Sequence, residues 1–257
     1  MLIAKTNTAA QLERELSDPR YVPKTIMLGS NTDPYQPIER DYQLTRSILE
    51  IMDKTSHPVA IVTKSASVLR DLDILTSLAS RNLVRVALSV TTLDYRLARK
   101  MEPRASTPAR RVEAIAKLNE AGVPAGAMMA PIIPAINDME IEAVLEAVAK
   151  AGARSAHWVL LRLPLEISPL FQDWLAEEFP DRAKKVMSLV RSTRGGKDYV
   201  SHWGERQTGT GVYADLIAKR FSLAVKRLGL NRQPRDPLRK DLFRPPPPKG
   251  GQLDLFK

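Results

Sequence analysis

The chain has 257 residues, is 44% apolar, contains no cysteine and carries a net charge of +10. This fills the core of one large domain with a tail, and the absence of cysteine excludes disulfides and every thiolate-ligated metal site. No apolar run is long enough to span a bilayer, and Glu13, Arg14, Glu15 and Asp18 stand where a signal peptide would have its apolar core, so the sequence reads as cytoplasmic.

Residues 8–16 predict a short helix with Thr8 as its cap. Ile26–Leu28 reads as a first strand, followed by a helix over 38–53 with Leu44, Ile48 and Ile51 at helical spacing. Val59–Thr63 reads as a second strand, ending in Lys64 and Ser65, with a helix over 67–80 capped by Ser65 or Ser67. Val84–Val90 reads as a third, ending in Thr91 and Thr92, with helices over 94–100 and 107–121. Val123–Met129 is the fourth, Pro131 and Pro134 punctuating its loop, and a helix over 138–150 follows. Ser155–Leu161 is the fifth.

Strands and helices alternate, which argues parallel strands joined by right-handed crossovers. The expected fold is α/β: a partial β/α barrel over 1–168, with an open doubly wound sheet as the alternative. Beyond it come helices over 169–191, broken near Pro180, a Gly-, Ser- and Thr-rich loop over 192–210 and an amphipathic helix over 211–228, which together make a helical extension over 169–230. Residues 231–257 are Pro- and Arg-rich and predict an extended, disordered tail.

The charge is uneven. Residues 1–180 hold 21 Lys and Arg against 22 Asp and Glu, whereas 181–257 hold 18 against 7. This asymmetry predicts a surface for DNA or another nucleic acid over 181–240; a solvated basic helix face is the plainer alternative.

The stretch most like a ligand site is Gly29-Ser30-Asn31-Thr32-Asp33-Pro34-Tyr35-Gln36-Pro37-Ile38-Glu39. It joins a strand to a helix through a rigid polar turn, and α/β folds bind ligands at such strand ends. Alone it also reads as a well-made loop with Asp33 as a cap.

Taken with Ile61-Val62-Thr63-Lys64-Ser65, Leu88-Ser89-Val90-Thr91-Thr92-Leu93-Asp94, Glu102-Pro103-Arg104-Ala105, Ala130-Pro131-Ile132-Ile133-Pro134 and Asn137-Asp138, this stretch resembles the radical S-adenosylmethionine (radical SAM) proteins, in their spore-photoproduct-lyase-like branch. The resemblance implies a partial barrel holding S-adenosylmethionine across its strand ends. By that likeness Asn31, Thr32 and Asp33 receive the methionine amino group, and Lys64, with Ser65 beside it, meets the carboxylate. Ser89 and Thr91 lie near the ribose, Arg104 adds a carboxylate contact, and Met129 and Pro131 lie near the adenine. The resemblance assigns no catalytic residue and no metal ligand in this chain.

The departure from the family is the cluster. The family's CxxxCxxC motif holds a 4Fe–4S cluster, and this chain has no cysteine; His57, His157 and His202 are scattered. The expectation is a family fold missing its first barrel strand, through a late-assigned start or a split or degenerate gene, unable to cleave S-adenosylmethionine reductively.

Gln252-Leu253-Asp254-Leu255-Phe256 is similar to the pentapeptide that docks proteins on the bacterial sliding clamp. Leu253, Leu255 and Phe256 suit apolar pockets and Gln252 a polar rim; folding back onto the chain's own surface is the alternative. Three readings remain open: a radical SAM protein acting on nucleic acid without its cluster segment, a non-catalytic DNA-associated adaptor for the clamp, or a metal-independent barrel enzyme using Asp33 and Lys64 directly.

Overall fold

The computed structural model describes residues 4–232 and 237–247. The strands are β1 (Ile26–Leu28), β2 (Val59–Thr63), β3 (Val84–Ser89), β4 (Ala125–Ile132) and β5 (Ala156–Leu160). They form one sheet in the order β1-β2-β3-β4-β5, with β1 at an edge. Strands β1 and β2 pair in parallel, as do β4 and β5. The architecture is the α/β partial barrel that the alternation predicts, followed by helices. The chain divides into two compact units, one spanning residue 4 to Ala87 with Lys117–Pro124 and 237–247, the other Leu88–Ala116 with Ala125 to 232.

In the first unit α1 (Thr8–Leu16) and α3 (Leu44–Lys54) bury Leu16, Leu49 and Met52. Thr8 does not cap α1 as expected: Asn7 stands at the cap, and the Thr8 hydroxyl donates back to the Lys5 carbonyl. Strand β2 buries Val59, Ile61 and Thr63 and half-buries the residues between, as a strand covered on both faces does. Gly29 ends β1 at φ 95, where a Cβ would sit 1.9 Å from the Val62 carbonyl oxygen, so only glycine fits.

The helix expected over 38–53 is broken. Glu39–Tyr42 forms a single turn, α2, and Gln43 takes a left-handed conformation at φ 47 before α3 starts. The buried Glu39 carboxylate accepts from the Thr45 backbone N–H at 3.1 Å, giving the second helix an acceptor at its positive end. A short 3₁₀ segment (Ala66–Asp71), capped by Ser65, leads into α4 (Leu72–Ser80).

Residues 237–247 do not behave as the expected loose linker. Arg239 N–H donates to the Asn82 carbonyl at 3.0 Å, Arg244 N–H to the Thr55 carbonyl at 2.8 Å, and Leu238 is buried. Phe243 packs 5.5 Å from Tyr21 and edge-on to His57 at 5.4 Å. Two apolar anchors and two backbone bonds hold a Pro-rich segment that composition alone reads as linker.

In the second unit, α5 (Tyr95–Met101) starts at an Asp94 cap whose carboxylate accepts from Arg96 N–H at 2.7 Å. α6 (Pro108–Glu120) follows, its last turn belonging to the first unit. β4 runs further than expected, through the cis Ala130–Pro131 bond to Ile132, with a register shift against β5 between Met129 and Ile132. Pro131 thus lies in the strand rather than in the loop after it; the irregularity absorbs its missing donor. α7 (Ile141–Lys150) then packs on α11 (Val212–Leu228), linked by Arg220 to Glu142 and Arg227 to Glu146. α8 (Ile167–Glu178) and α9 (Ala183–Ser192), separated as Pro180 predicts, bury Leu175, Val186 and Val190 against Ile133, Leu161 and Leu163. Asn231 closes the unit: its side-chain amide bonds both the N–H and the carbonyl of Ala156.

Candidate functional site

The polar residues expected at the strand ends fall into two groups, one in each unit. In the first, Asp33 ties the turn after β1 to the end of β2. One carboxylate oxygen accepts from Tyr35 N–H at 2.9 Å and from the Thr63 hydroxyl at 2.6 Å; the other accepts from Lys64 N–H at 2.6 Å. Asp33 and Lys64 therefore do share one end of the sheet. A carboxylate offers about four acceptor positions, and three are occupied. Asp33 does not cap the helix after it, since Ile38 stands at the start of α2 with no side-chain cap bond. Its carboxylate is mostly scaffold between the two strand ends, and what the turn presents outward is Asn31 and Thr32, both exposed. Ser65 caps the 3₁₀ segment by accepting from Ser67 N–H at 3.2 Å, so its hydroxyl is committed to the backbone.

Beneath that turn lies a network that sequence reasoning missed. The Tyr35 hydroxyl donates to the buried Asp71 carboxylate at 3.0 Å, and Arg46 and Arg70 both pair with Asp71, at 3.1 and 2.9 Å. Burial and the neighbouring Asp71 charge push the Tyr35 phenol far up, so it stays a donor. Arg70 also donates to the Glu39 carbonyl at 2.8 Å, locking the helix that follows to the turn.

In the second group, Ser89 and Thr91 are buried at and just past the end of β3. The Ser89 carbonyl accepts from Arg111 at 2.9 Å and the Thr91 carbonyl from the Asn137 amide at 2.8 Å. Asn137, fully buried, also donates to the Pro131 carbonyl at 3.0 Å and accepts from Ile133 N–H at 2.6 Å. It pins the end of β4 to the segment after β3. Thr92 and Leu93 N–H hold the Glu140 carboxylate, at 2.5 and 2.8 Å. Arg111, 1% exposed, pairs with Glu102 at 2.6 Å and donates to the Ser106 carbonyl at 2.7 Å. That buried pair fixes the loop holding the exposed Arg104. Met129 is buried inside β4, in register with Trp158.

Gln252, Leu253, Leu255 and Phe256 lie outside the described residues. Among the described residues no group of three His, Cys, Asp or Glu side chains is placed to hold a metal ion. With no cysteine in the sequence, the donor set does not fit an iron–sulfur cluster. Among them, too, no helix is long and apolar enough to cross a membrane.

Comparison with known proteins bears on the family and the fold. The chain is 33% identical over 192 residues to an uncharacterized protein of Mycobacterium tuberculosis, covering 74% of this chain and 56% of the relative. It is 30% identical over 162 residues to an uncharacterized protein of Methanocaldococcus jannaschii, covering 63% and 59%. It thus spans little more than half the length of these relatives. In structure it is similar to spore photoproduct lyase complexed with dinucleoside spore photoproduct, at TM-score 0.58 and 17% identity over 88% of this chain and 64% of that one. It is equally similar to a cysteine-to-alanine mutant of spore photoproduct lyase, at TM-score 0.58 and 14% identity over 89% and 66%; at such identities the likeness speaks to the fold. The family model for the Radical SAM superfamily matches residues 5–148, more than half of the chain, and with the strand-end pattern above it makes this chain a member of the Radical SAM superfamily.

Proposed function

We propose that this chain binds S-adenosylmethionine at its strand ends and works on nucleic acid, the cluster ligands not being among its residues. The observation that carries the first part is the Asp33 turn, whose bond to Lys64 N–H sets the exposed Asn31 and Thr32 beside the lysine that follows β2. Asn31 and Thr32 oxygens and the remaining acceptor position of Asp33 suit the methionine ammonium, and the Lys64 ammonium suits its carboxylate, through charge-assisted hydrogen bonds. Family resemblance assigns Ser65 to the same end, Arg104 to the carboxylate, Ser89 and Thr91 to the ribose, and Met129 and Pro131 to the adenine. The family's cluster chelates and reduces S-adenosylmethionine; no step through it is derived from these residues, whose part is to bind and orient.

The nucleic-acid part rests on the 18 to 7 excess of Lys and Arg over Asp and Glu in residues 181–257. The dinucleoside photoproduct in one similar structure is a property of that protein, and it agrees with the reading. A second reading, a DNA-associated adaptor for the sliding clamp, rests on Gln252-Leu253-Asp254-Leu255-Phe256. Calorimetric titration with S-adenosylmethionine, and separately with an oligonucleotide over a range of salt, tests the two halves. Saturable cofactor binding and steeply salt-dependent oligonucleotide binding are expected. A chain that takes the oligonucleotide and ignores the cofactor points to the adaptor instead.

A further inference from the structure

Arg194 follows α9 and is buried to 1% exposure. Its two terminal nitrogens donate to the backbone carbonyls of Glu205 and Leu161, at 2.8 and 2.9 Å, and among the described residues its Nε has no partner. Carbonyls satisfy hydrogen bonds and leave the charge uncompensated. Arg162, just past β5, is the nearby second cation: its Nε is also unpartnered, and its guanidinium sits 5.9 Å from the Tyr199 ring with a long 3.4 Å bond to the hydroxyl. Among the described residues no carboxylate forms an ion pair with either arginine. Burial and the repulsion from Arg162 both pull the Arg194 guanidinium below its usual range. A buried cation in this state is costly unless an anion joins it.

Beside Arg194 opens a cavity of about 220 Å³, lined also by Lys197, Thr193, Thr210 and Glu205. Asp198 is already spoken for, bonded to Arg191 at 2.7 Å and Ser168 at 2.6 Å, which leaves Glu205 as the acidic lining residue. The same segment carries an exposed aromatic. Trp203 is 84% exposed, with the Arg206 guanidinium 4.1 Å from its ring centroid. Gly204, at φ 93, makes the turn that places Trp203 just ahead of α10 (Glu205–Thr208), the helix whose first carbonyl Arg194 holds.

We propose that residues 193–210 bind single-stranded nucleic acid, a backbone phosphate entering the Arg194–Lys197 cavity and a base stacking on Trp203. An anion answers the unpaired charge, and a cation-backed indole open to solvent is a platform for an unpaired base. The proposal rests on the nucleic-acid reading above and names where on the chain that contact is made.

The test is fluorescence anisotropy of a labelled single-stranded oligonucleotide with the full chain, across a salt series, with inorganic phosphate as a separate probe. Trp203→Ala, on an exposed side chain, weakens oligonucleotide binding by about tenfold and leaves the salt slope unchanged. Lys197→Ala lowers the slope of log K against log salt by about 1. Glu205→Gln tightens binding, which a purely structural role for this segment does not predict. Wild-type affinity in both alanine variants overturns the inference and leaves nucleic-acid binding to another surface. Protection by inorganic phosphate with no Trp203-dependent oligonucleotide binding overturns it in favour of a free-phosphate site. A wild-type chain that binds no oligonucleotide at low salt overturns both the inference and the reading under it.

Discussion

Arg111 and Arg194 are two arginines of the second unit, each 1% exposed, in opposite surroundings. Arg111 pairs with Glu102 at 2.6 Å and spends its other donors on the Ser106 and Ser89 carbonyls. Among the described residues Arg194 meets two carbonyls and no carboxylate, and keeps an unpartnered Nε. The first is a scaffold that holds a loop and a strand end; the second has the unmet demand of a binding residue. Burial alone does not separate these roles, whereas accounting for each donor and each charge does.

The two arginines should differ most visibly in stability. Removing one partner of a buried ion pair costs about 3–5 kcal/mol, so Arg111→Met should lose that much in a denaturant titration. Arg194→Met removes a charge that no carboxylate among the described residues neutralises, and should cost less than half as much. Equal losses for the two variants would mean that the two arginines are scaffold alike.

The Asp33 turn sharpens it from the other unit, since its carboxylate accepts three internal hydrogen bonds. Asp33→Ala should cost about 2 kcal/mol in unfolding free energy, from stranded donors at the end of β2. Substituting the exposed Asn31 should leave stability unchanged and act on cofactor affinity alone.

A comparable loss is expected in a binding assay rather than in stability. If residues 252–256 dock on a sliding clamp, Phe256→Ala should cost about 2 kcal/mol and weaken binding more than tenfold, with little dependence on salt. Equal clamp binding by the full chain and by one ending at Lys249 removes that reading.

The smallest effect concerns pH. Burial holds the His57 imidazole below its ordinary 6.5, while Tyr21 OH and the Pro58 carbonyl lie 2.8 and 3.0 Å from its two nitrogens. A depressed folded value means the unfolded chain binds the proton more readily. The contribution is therefore present above about pH 6.5 and is lost as pH falls through the folded value. The melting temperature of the wild type should drop from pH 7 toward pH 5, and that of His57→Gln should drop less; parallel curves would assign the acid sensitivity elsewhere.

Much of this fold is legible in the sequence. The apolar runs of β1 to β5 and their alternation with helices announce parallel strands, and Gly29, Gly122 and Gly152 mark ends where φ is positive. The break at Gln43 is not legible, because it depends on the Glu39 carboxylate reaching Thr45 N–H across the turn. Nor is the strap over 237–247, whose prolines read as linker while Leu238 and Phe243 supply the anchoring. Of the candidate site, the Asp33–Lys64 meeting was expected, whereas the commitments of the Ser65 hydroxyl and of the Ser89 and Thr91 carbonyls appear only with their partners in place. Asn137 stands in the family-like stretch, yet its place linking Thr91, Pro131 and Ile133 is set by tertiary packing. The same holds for Arg194, an arginine in a polar, Gly-rich loop that nothing local marks as buried.

The cofactor site proposed for the first unit would meet S-adenosylmethionine through residues of the chain itself. Calorimetric titration of the full chain with S-adenosylmethionine, beside Lys64→Ala at matched folding, tests it most directly. Saturable binding by the wild type is expected, with a loss of about tenfold or more in the variant, the scale of one charge-assisted hydrogen bond. No binding by the folded wild type, or equal affinity in the two proteins, would contradict it.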